Sequence, residues 1–195
     1  MKSRRALGTL RIIGGQWRSR LIGFDAEAGV RPTPDRVRQT LFDWLAPLID
    51  GASALDLFAG SGALGFEALS RGAAHATFVD AARPAIAAIR GNLRALGLDD
   101  RATVIAGDAV ATAARHTPAA PWRLVFVDPP YRSDLATRAV AALPVDRLAP
   151  GAVIVIEHDR HNAPPDLLGS LLRTDQRRYG DTLISFFAAP RGSPA

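Results

Sequence analysis

Residues 55–65 read LDLFAGSGALG, and residues 124–131 read LVFVDPPY. The first stretch passes from an apolar run through a glycine-rich turn into an alanine- and leucine-bearing segment. Gly60, Gly62 and Gly65 match G-x-G-x-x-G between a predicted strand at 53–58 and a predicted helix at 63–71. Glycine at such a turn lets the backbone bend tightly and approach a ligand closely. Working outward, 75–79 (HATFV), 102–106 (ATVIA), 123–127 (RLVFV) and 151–156 (GAVIVI) are four further predicted strands. Helices are expected at 82–96, at 134–143 and, bounded by prolines, near 165–172, with 112–122 as a loop or frayed helix. Two closing strands near 173–179 and 182–188 flank Gly180-Asp181 and read as an antiparallel hairpin on the sheet edge. Short apolar strands alternating with helices predict a parallel α/β sheet.

Upstream of the glycine turn, LRII (10–13), Gly14-Gly15 and the run ending in LIGF (21–24) predict a β-hairpin. RPTP (31–34) is a rigid connector, with Thr33 expected as the helix N-cap and Pro34 at the first helical position. Val37, Leu41, Trp44 or Leu45, and Leu48 then recur at helical spacing, and the helix should end near Asp50-Gly51. The expected organisation is one globular unit. Residues 1–30 form a basic hairpin extension, 31–189 the main domain and 190–195 a flexible tail.

A chain of 195 residues, 48% hydrophobic and 22% charged, can bury a core unaided and is neither disordered nor fibrous. It holds no cysteine, which excludes disulfides, thiol chemistry and a thiolate zinc site. No apolar run reaches the roughly 18–20 residues of a membrane span. The start, MKSRRALGTL, has no apolar segment of the secretory kind, so a cytoplasmic protein is expected. The net charge of +5 is uneven: residues 1–38 carry nine basic against three acidic residues, and the remainder is nearly balanced. A localised excess of this kind suits a polyanionic partner. All basic residues except Lys2 are arginine, which forks onto phosphate and stacks on bases.

Three acids fall at successive predicted strand ends: Asp56 beside the glycine turn, Asp80, and Asp108 in AGDA. Strand ends of an open α/β sheet form its binding crevice, and a carboxylate after the second strand can accept ribose hydroxyls. Asp56 suits a ligand with an ammonium and a sulfonium better than a pyrophosphate. In DPPY each proline fixes its own φ and lacks an N–H. Asp128 and a proline carbonyl thus form a rigid acceptor pair for an exocyclic amine, and Tyr131 can stack on a base. His158 and His161 straddle Asp159, too few ligands for a metal, and His75 and His116 have no evident partner.

With LRIIGGQWRSR (10–20), RPTPDRVRQTLFDWL (31–45), LDLFAGSGALGFEALSRGA (55–73), VFVDPPY (125–131) and RRYGDTLISFF (177–187), the sequence resembles the bacterial guanine-N2 methyltransferases of small-subunit ribosomal RNA. The resemblance implies a seven-stranded Rossmann-like class I methyltransferase sheet, last strand antiparallel, preceded by the hairpin and a helix. It implies methyl transfer from S-adenosylmethionine to the N2 amine of one guanine, without a metal, in an assembled or partly assembled small subunit. On that basis Asp128, Pro129, Pro130 and Tyr131 are the catalytic candidates. Asp56, Phe58, Gly60, Gly62, Asp80, Ala81, Asp108 and Ala109 would hold the cofactor. Arg11, Arg18, Arg20, Arg31 and Arg38 are candidates for RNA phosphates. Arg36 is a candidate for a phosphate or for the methionine carboxylate, and Trp17 for base stacking or packing. The second strand ends in Asp80 where the family usually has Glu, one methylene longer. A monomer is expected. The alternatives are a DNA adenine or cytosine amino-methyltransferase, a non-catalytic ribosome-assembly factor, a protein glutamine methyltransferase, which would carry Asn before the two prolines, and an NAD-binding oxidoreductase, which leaves DPPY unexplained.

Overall fold

The computed structural model describes residues 7–26, 33–130 and 133–190. β1 (Leu7–Arg11) and β2 (Leu21–Asp25) pair antiparallel, Leu10 opposite Ile22. The helix α1 (Asp35–Ile49) follows, then β3 (Ser53–Leu57), α2 (Ala63–Ser70), β4 (His75–Asp80), α3 (Arg83–Leu96), β5 (Ala102–Ala106) and α4 (Ala109–Arg115). The chain continues through β6 (Trp122–Val127), α5 (Leu135–Ala141), β7 (Leu148–Asp159), β8 (Leu167–Leu168), β9 (Leu171–Tyr179) and β10 (Thr182–Ala188).

β3 to β10 make one sheet in the order β5-β4-β3-β6-β7-β10-β9-β8. The strands β5, β4, β3, β6 and β7 run parallel, while β10, β9 and β8 are antiparallel to their neighbours. This sheet has eight strands where seven were expected. The additional one is β8, in the stretch near 165–172 expected as a helix. Pro164 and Pro165 limit the backbone there, and Gly169 at φ +63 turns the chain straight into β9. Of the two readings of 112–122, loop or frayed helix, the first residues are helical: α4 runs to Arg115 from a cap in which Asp108 accepts the Ala111 N–H at 2.7 Å.

α1 buries Val37, Leu41, Leu45 and Ile49, so the helical periodicity runs through Leu45, and Trp44 is 45% exposed. Thr33 is not its N-cap. Pro34 holds that position without a side-chain cap, and the Thr33 hydroxyl instead donates to Glu157 Oε2 at 2.9 Å. One apolar layer, under α1, α2 and α3, includes Phe42, Phe66, Phe78 and Phe126. The other, under α4 and α5, includes Leu55, Val125, Ile154 and Phe187.

The hairpin shares the first of these layers through Ile12 and Ile22. It is also tied by polar contacts. The fully buried Glu67 carboxylate accepts the N–H groups of Ile13 and Gly14 at 2.8 Å each, and the Arg71 Nε–H at 2.7 Å. The Ser70 hydroxyl donates to the Gly14 carbonyl at 2.6 Å and accepts the Trp17 N–H at 3.0 Å. The Asn92 side chain on α3 makes two bonds to the Gly23 backbone, at 2.9 and 2.8 Å, as a neighbouring strand would. Gly15, at φ +76, lies so close to the Ser70 carbonyl that a Cβ there would overlap it. No described helix is long and apolar enough to cross a membrane.

Candidate active site

Register decides which side chains meet. Asp56 pairs with Phe126, and Leu57 and Ile156 flank Val127 on either side. Alternate residues of a strand share a face, and level residues on parallel neighbours do too. Asp56, Phe126 and Asp128 therefore point the same way, and Glu157, level with Asp128, points with them. This is the face that α1 covers. The three acids line one cleft of about 650 Å³ above the carboxyl ends of the parallel strands.

The glycine turn forms one wall of that cleft. Gly62 sits at φ +76 and its N–H donates to the Ala59 carbonyl at 2.6 Å, a conformation that favours glycine. Gly65 is required for space, since a Cβ there would enter the Phe78 ring on β4. The Gly65 N–H donates to Asp56 Oδ2 at 2.9 Å. Asp80 accepts from Gly60 N–H through Oδ2 and from Ala82 N–H through Oδ1, both at 2.7 Å, so its carboxylate is fixed at both ends. Phe58 lies at φ +61, a strained conformation for a bulky residue, of the kind that collects at functional sites.

The cleft wall includes Asp56, Phe58, Gly60, Asp80, Ala81, Asp108, Ala109, Asp128, Pro129, Pro130 and Glu157. Gly62 shapes the turn behind it. Tyr131 and Arg31 fall outside the described residues. Among the described residues the lining holds five carboxyl groups and no arginine or lysine. Burial, against the opposing pull of the Gly65 N–H and with a smaller push from the Asp80 charge, brings the Asp56 carboxyl up to about 8. Burial, then the charges of Glu157 and Asp56, hold Asp128 well above the usual carboxylate range. Carboxyl groups raised in this way favour a ligand that brings positive charge.

The basic residues gather elsewhere. A second hollow, of about 320 Å³, lies where the hairpin loop meets the start of α1, with Arg11, Arg18 and Arg36 in its wall. Ser19, the other described non-glycine residue at positive φ, also lines it. Arg20 is exposed nearby. Arg38 is a correction to the phosphate-binding set. It is fully buried, and its Nη2 donates to the Arg11 carbonyl at 2.9 Å and to Asp35 Oδ1 at 2.7 Å. It supports the hollow from inside. Trp17 packs half-buried against the core with the Arg101 guanidinium 5.5 Å from its ring centre. His158 is buried against Ser185 Oγ at 2.9 Å, and burial lowers its pKa. No group of three or more metal-ligating side chains gathers among the described residues.

Glu67, Asn92 and Glu157 carry the site or its support and were not singled out from sequence, and Thr33 was read only as a helix cap. Glu157 had a legible signal: it is an acid immediately after the apolar run GAVIVI, as Asp80 and Asp128 follow theirs.

A family model described as "Conserved hypothetical protein 95" matches residues 10–188. The Escherichia coli K12 protein named "Ribosomal RNA small subunit methyltransferase D" is 45% identical over 159 residues, 81% of this chain and 79% of its own. The protein of the same name from Haemophilus influenzae is 39% identical, covering 80% of this chain and 81% of its own. The chain belongs to this small-subunit ribosomal RNA methyltransferase family. A solved structure titled "Putative methyltransferase yhhF from Escherichia coli" superposes with a TM-score of 0.83 at 38% identity, covering 94% of this chain and 99% of that one. The fold is that of the class I methyltransferases.

Proposed function

We propose that this chain transfers a methyl group from S-adenosylmethionine to the exocyclic N2 of a guanine in small-subunit ribosomal RNA. The observation that carries the reading is the pairing of a cleft lined by five carboxyl groups, without arginine or lysine among its described residues, with the Asp128-Pro129 acceptor pair in its wall. A pyrophosphate would meet five carboxyl groups there. An ammonium and a sulfonium would be welcomed by them. Within the family reading, Asp56, Gly60, Gly62, Asp80 and Asp108 hold the cofactor, with Phe58, Ala81 and Ala109 as the apolar surface against it. When bound, S-adenosylmethionine supplies an already activated methyl, so the chemistry is an in-line displacement.

The protein's part is position and charge. Guanine N2 is a poor nucleophile because its lone pair is delocalised into the ring. Asp128 and the Pro129 carbonyl accept its hydrogens, aim it, and stabilise the positive charge that grows as the N–C bond forms; orientation of this kind is worth about 7–11 kcal/mol. The N2 proton becomes acidic only as that bond forms, and Asp128 relays it towards solvent. The base leaves its stack to enter the cleft, at a cost of a few kcal/mol. Arg11, Arg18, Arg20 and Arg36 contact RNA phosphates on the hairpin side.

The test is methyl transfer from labelled S-adenosylmethionine to small-subunit particles that lack the modification, followed by digestion to nucleosides. Label in N2-methylguanosine is the expected result. Label in a methylated adenosine or cytidine overturns the choice of base, and absence of label with cofactor bound overturns the enzymatic reading.

A further inference from the structure

We propose that Glu157 selects the base: its carboxylate accepts the ring N1–H of the target guanine beside the amine that Asp128 and the Pro129 carbonyl hold. This rests on the guanine-N2 reading above and deepens it.

The DPPY turn holds an amine and is indifferent to the ring that carries it. Guanine differs from adenine and cytosine at the next ring position. Guanine N1 bears a hydrogen next to the amine, whereas adenine N1 and cytosine N3 are bare acceptors. A reader of guanine therefore needs a second acceptor-only group level with the first, and an ionised carboxylate is acceptor-only. Glu157 meets that requirement by sheet register. It follows Ile156 as Asp128 follows Val127, and those two residues are paired on adjacent parallel strands. The side chains consequently emerge on one face from neighbouring strands, which lie about 4.8 Å apart. Both line the cleft.

The Glu157 carboxylate is also oriented. Thr33, itself buried, donates its hydroxyl to Oε2 at 2.9 Å across 124 positions of sequence. This bond fixes one oxygen of a group that offers about four lone-pair sites in all. Keeping two acids side by side in a buried cleft is electrostatically unfavourable: Asp128 is raised by burial first and by the Glu157 charge next. A base that donates to both relieves that repulsion. One that presents a bare ring nitrogen to Glu157 adds to it. A site built around a donor rejects analogues that lack it far more strongly than a shape-matched apolar pocket does.

The decisive comparison uses 2-aminopurine, which keeps the N2 amine but presents N1 as an acceptor. Small-subunit particles are rebuilt with guanine or 2-aminopurine at the mapped target position. The wild-type chain is expected to methylate guanine at least about 100-fold faster than 2-aminopurine. In Glu157→Gln the side-chain amide can donate to the bare N1, so the ratio should narrow to within about tenfold, with Thr33→Val shifting it the same way by less. A binding measurement guards against a variant that does not fold. By saturation-transfer NMR, wild-type chain loaded with S-adenosylhomocysteine should bind guanosine in preference to 2-aminopurine riboside. Guanine methylated at N2 but with no preference over 2-aminopurine, in rate or in binding, overturns the role of Glu157 while the guanine-N2 reading stands. An unchanged ratio in a folded Glu157→Gln does the same. If no label reaches guanine N2 in wild type, it is the underlying reading that fails.

Discussion

The carboxylate of Glu67 accepts the backbone N–H of Gly14 at 2.8 Å across 53 positions of sequence. With Ile13 N–H and Arg71 Nε–H on the same group, one buried side chain satisfies three donors and seats the hairpin on α2. Glu67→Ala strands those donors. A buried donor without its partner costs about 1–3 kcal/mol, so thermal denaturation should register a clear drop in Tm. Calorimetry should find S-adenosylmethionine affinity nearly retained while RNA affinity falls, because the arginine-bearing loop loses its seat before the cleft does.

The ionisation of Asp56 sets a pH dependence. Its folded value of about 8 lies above the ordinary 3.8, so the stability linked to its protonated form is complete below about pH 4 and is lost as pH rises through about 8. The Tm of the ligand-free chain should fall across that interval, and Asp56→Asn should flatten the fall. S-Adenosylmethionine affinity should move the other way and rise with pH, because a cationic ligand requires the ionised acids. S-Adenosylhomocysteine, which lacks the sulfonium charge, should show a shallower rise. Equal slopes for the two ligands would sink the electrostatic account of the cleft.

Gly65→Ala places a methyl into the Phe78 ring, which already lies 5.0 Å from Phe66, centre to centre. Overpacking of this kind costs about 1–3 kcal/mol. Phe78→Leu in the same chain should recover part of that loss, and a double-mutant cycle by denaturant unfolding reads the coupling. Strict additivity would place the cost elsewhere.

Arg18→Glu with Arg36→Glu should weaken RNA binding and flatten its dependence on salt, the log–log slope falling by about 0.7–0.9 for each phosphate that is no longer neutralised. Cofactor affinity should not change. Arg38→Ala should behave differently, since Arg38 is inside the protein on Asp35 and the Arg11 carbonyl. Its primary effect should be a lower Tm, with loss of roughly 1–3 kcal/mol. Filter binding over a salt series beside thermal melts separates the two classes.

The parallel half of the sheet was legible because each strand is a short apolar run closed by an acid or a glycine, a pattern that local sequence carries by itself. The glycine turn, Asp56, Asp80 and the DPPY turn were legible for the same reason. What escaped is what depends on partners distant in sequence. Thr33 looks like a helix cap until the end of β7 is laid beside it, and then its hydroxyl has a buried carboxylate to meet. Arg38 looks like one more surface arginine of a basic segment until α1 is seen to bury that position. β8 escaped because two residues between a proline pair and a glycine hold too little pattern to count as a strand. The apolar period of α1 ran true except at Trp44, which stacks on Phe186 at 5.6 Å under the Arg177 guanidinium at 4.2 Å, held by contacts that no periodicity encodes.

α2 is only eight residues long, about 12 Å from end to end at the usual rise. Its first turn frames the cofactor cleft, and its last turn clasps the hairpin. A hairpin borrowed from a relative would arrive without the Glu67 and Ser70 contacts that seat it, unless the helix travelled with it. The opposite end of the helix, at Ala63 and Leu64, lines the cleft. Hairpin and cleft thus meet at the two ends of one short helix, and exchanging the hairpin means redesigning its contacts with Glu67 and Ser70 as well.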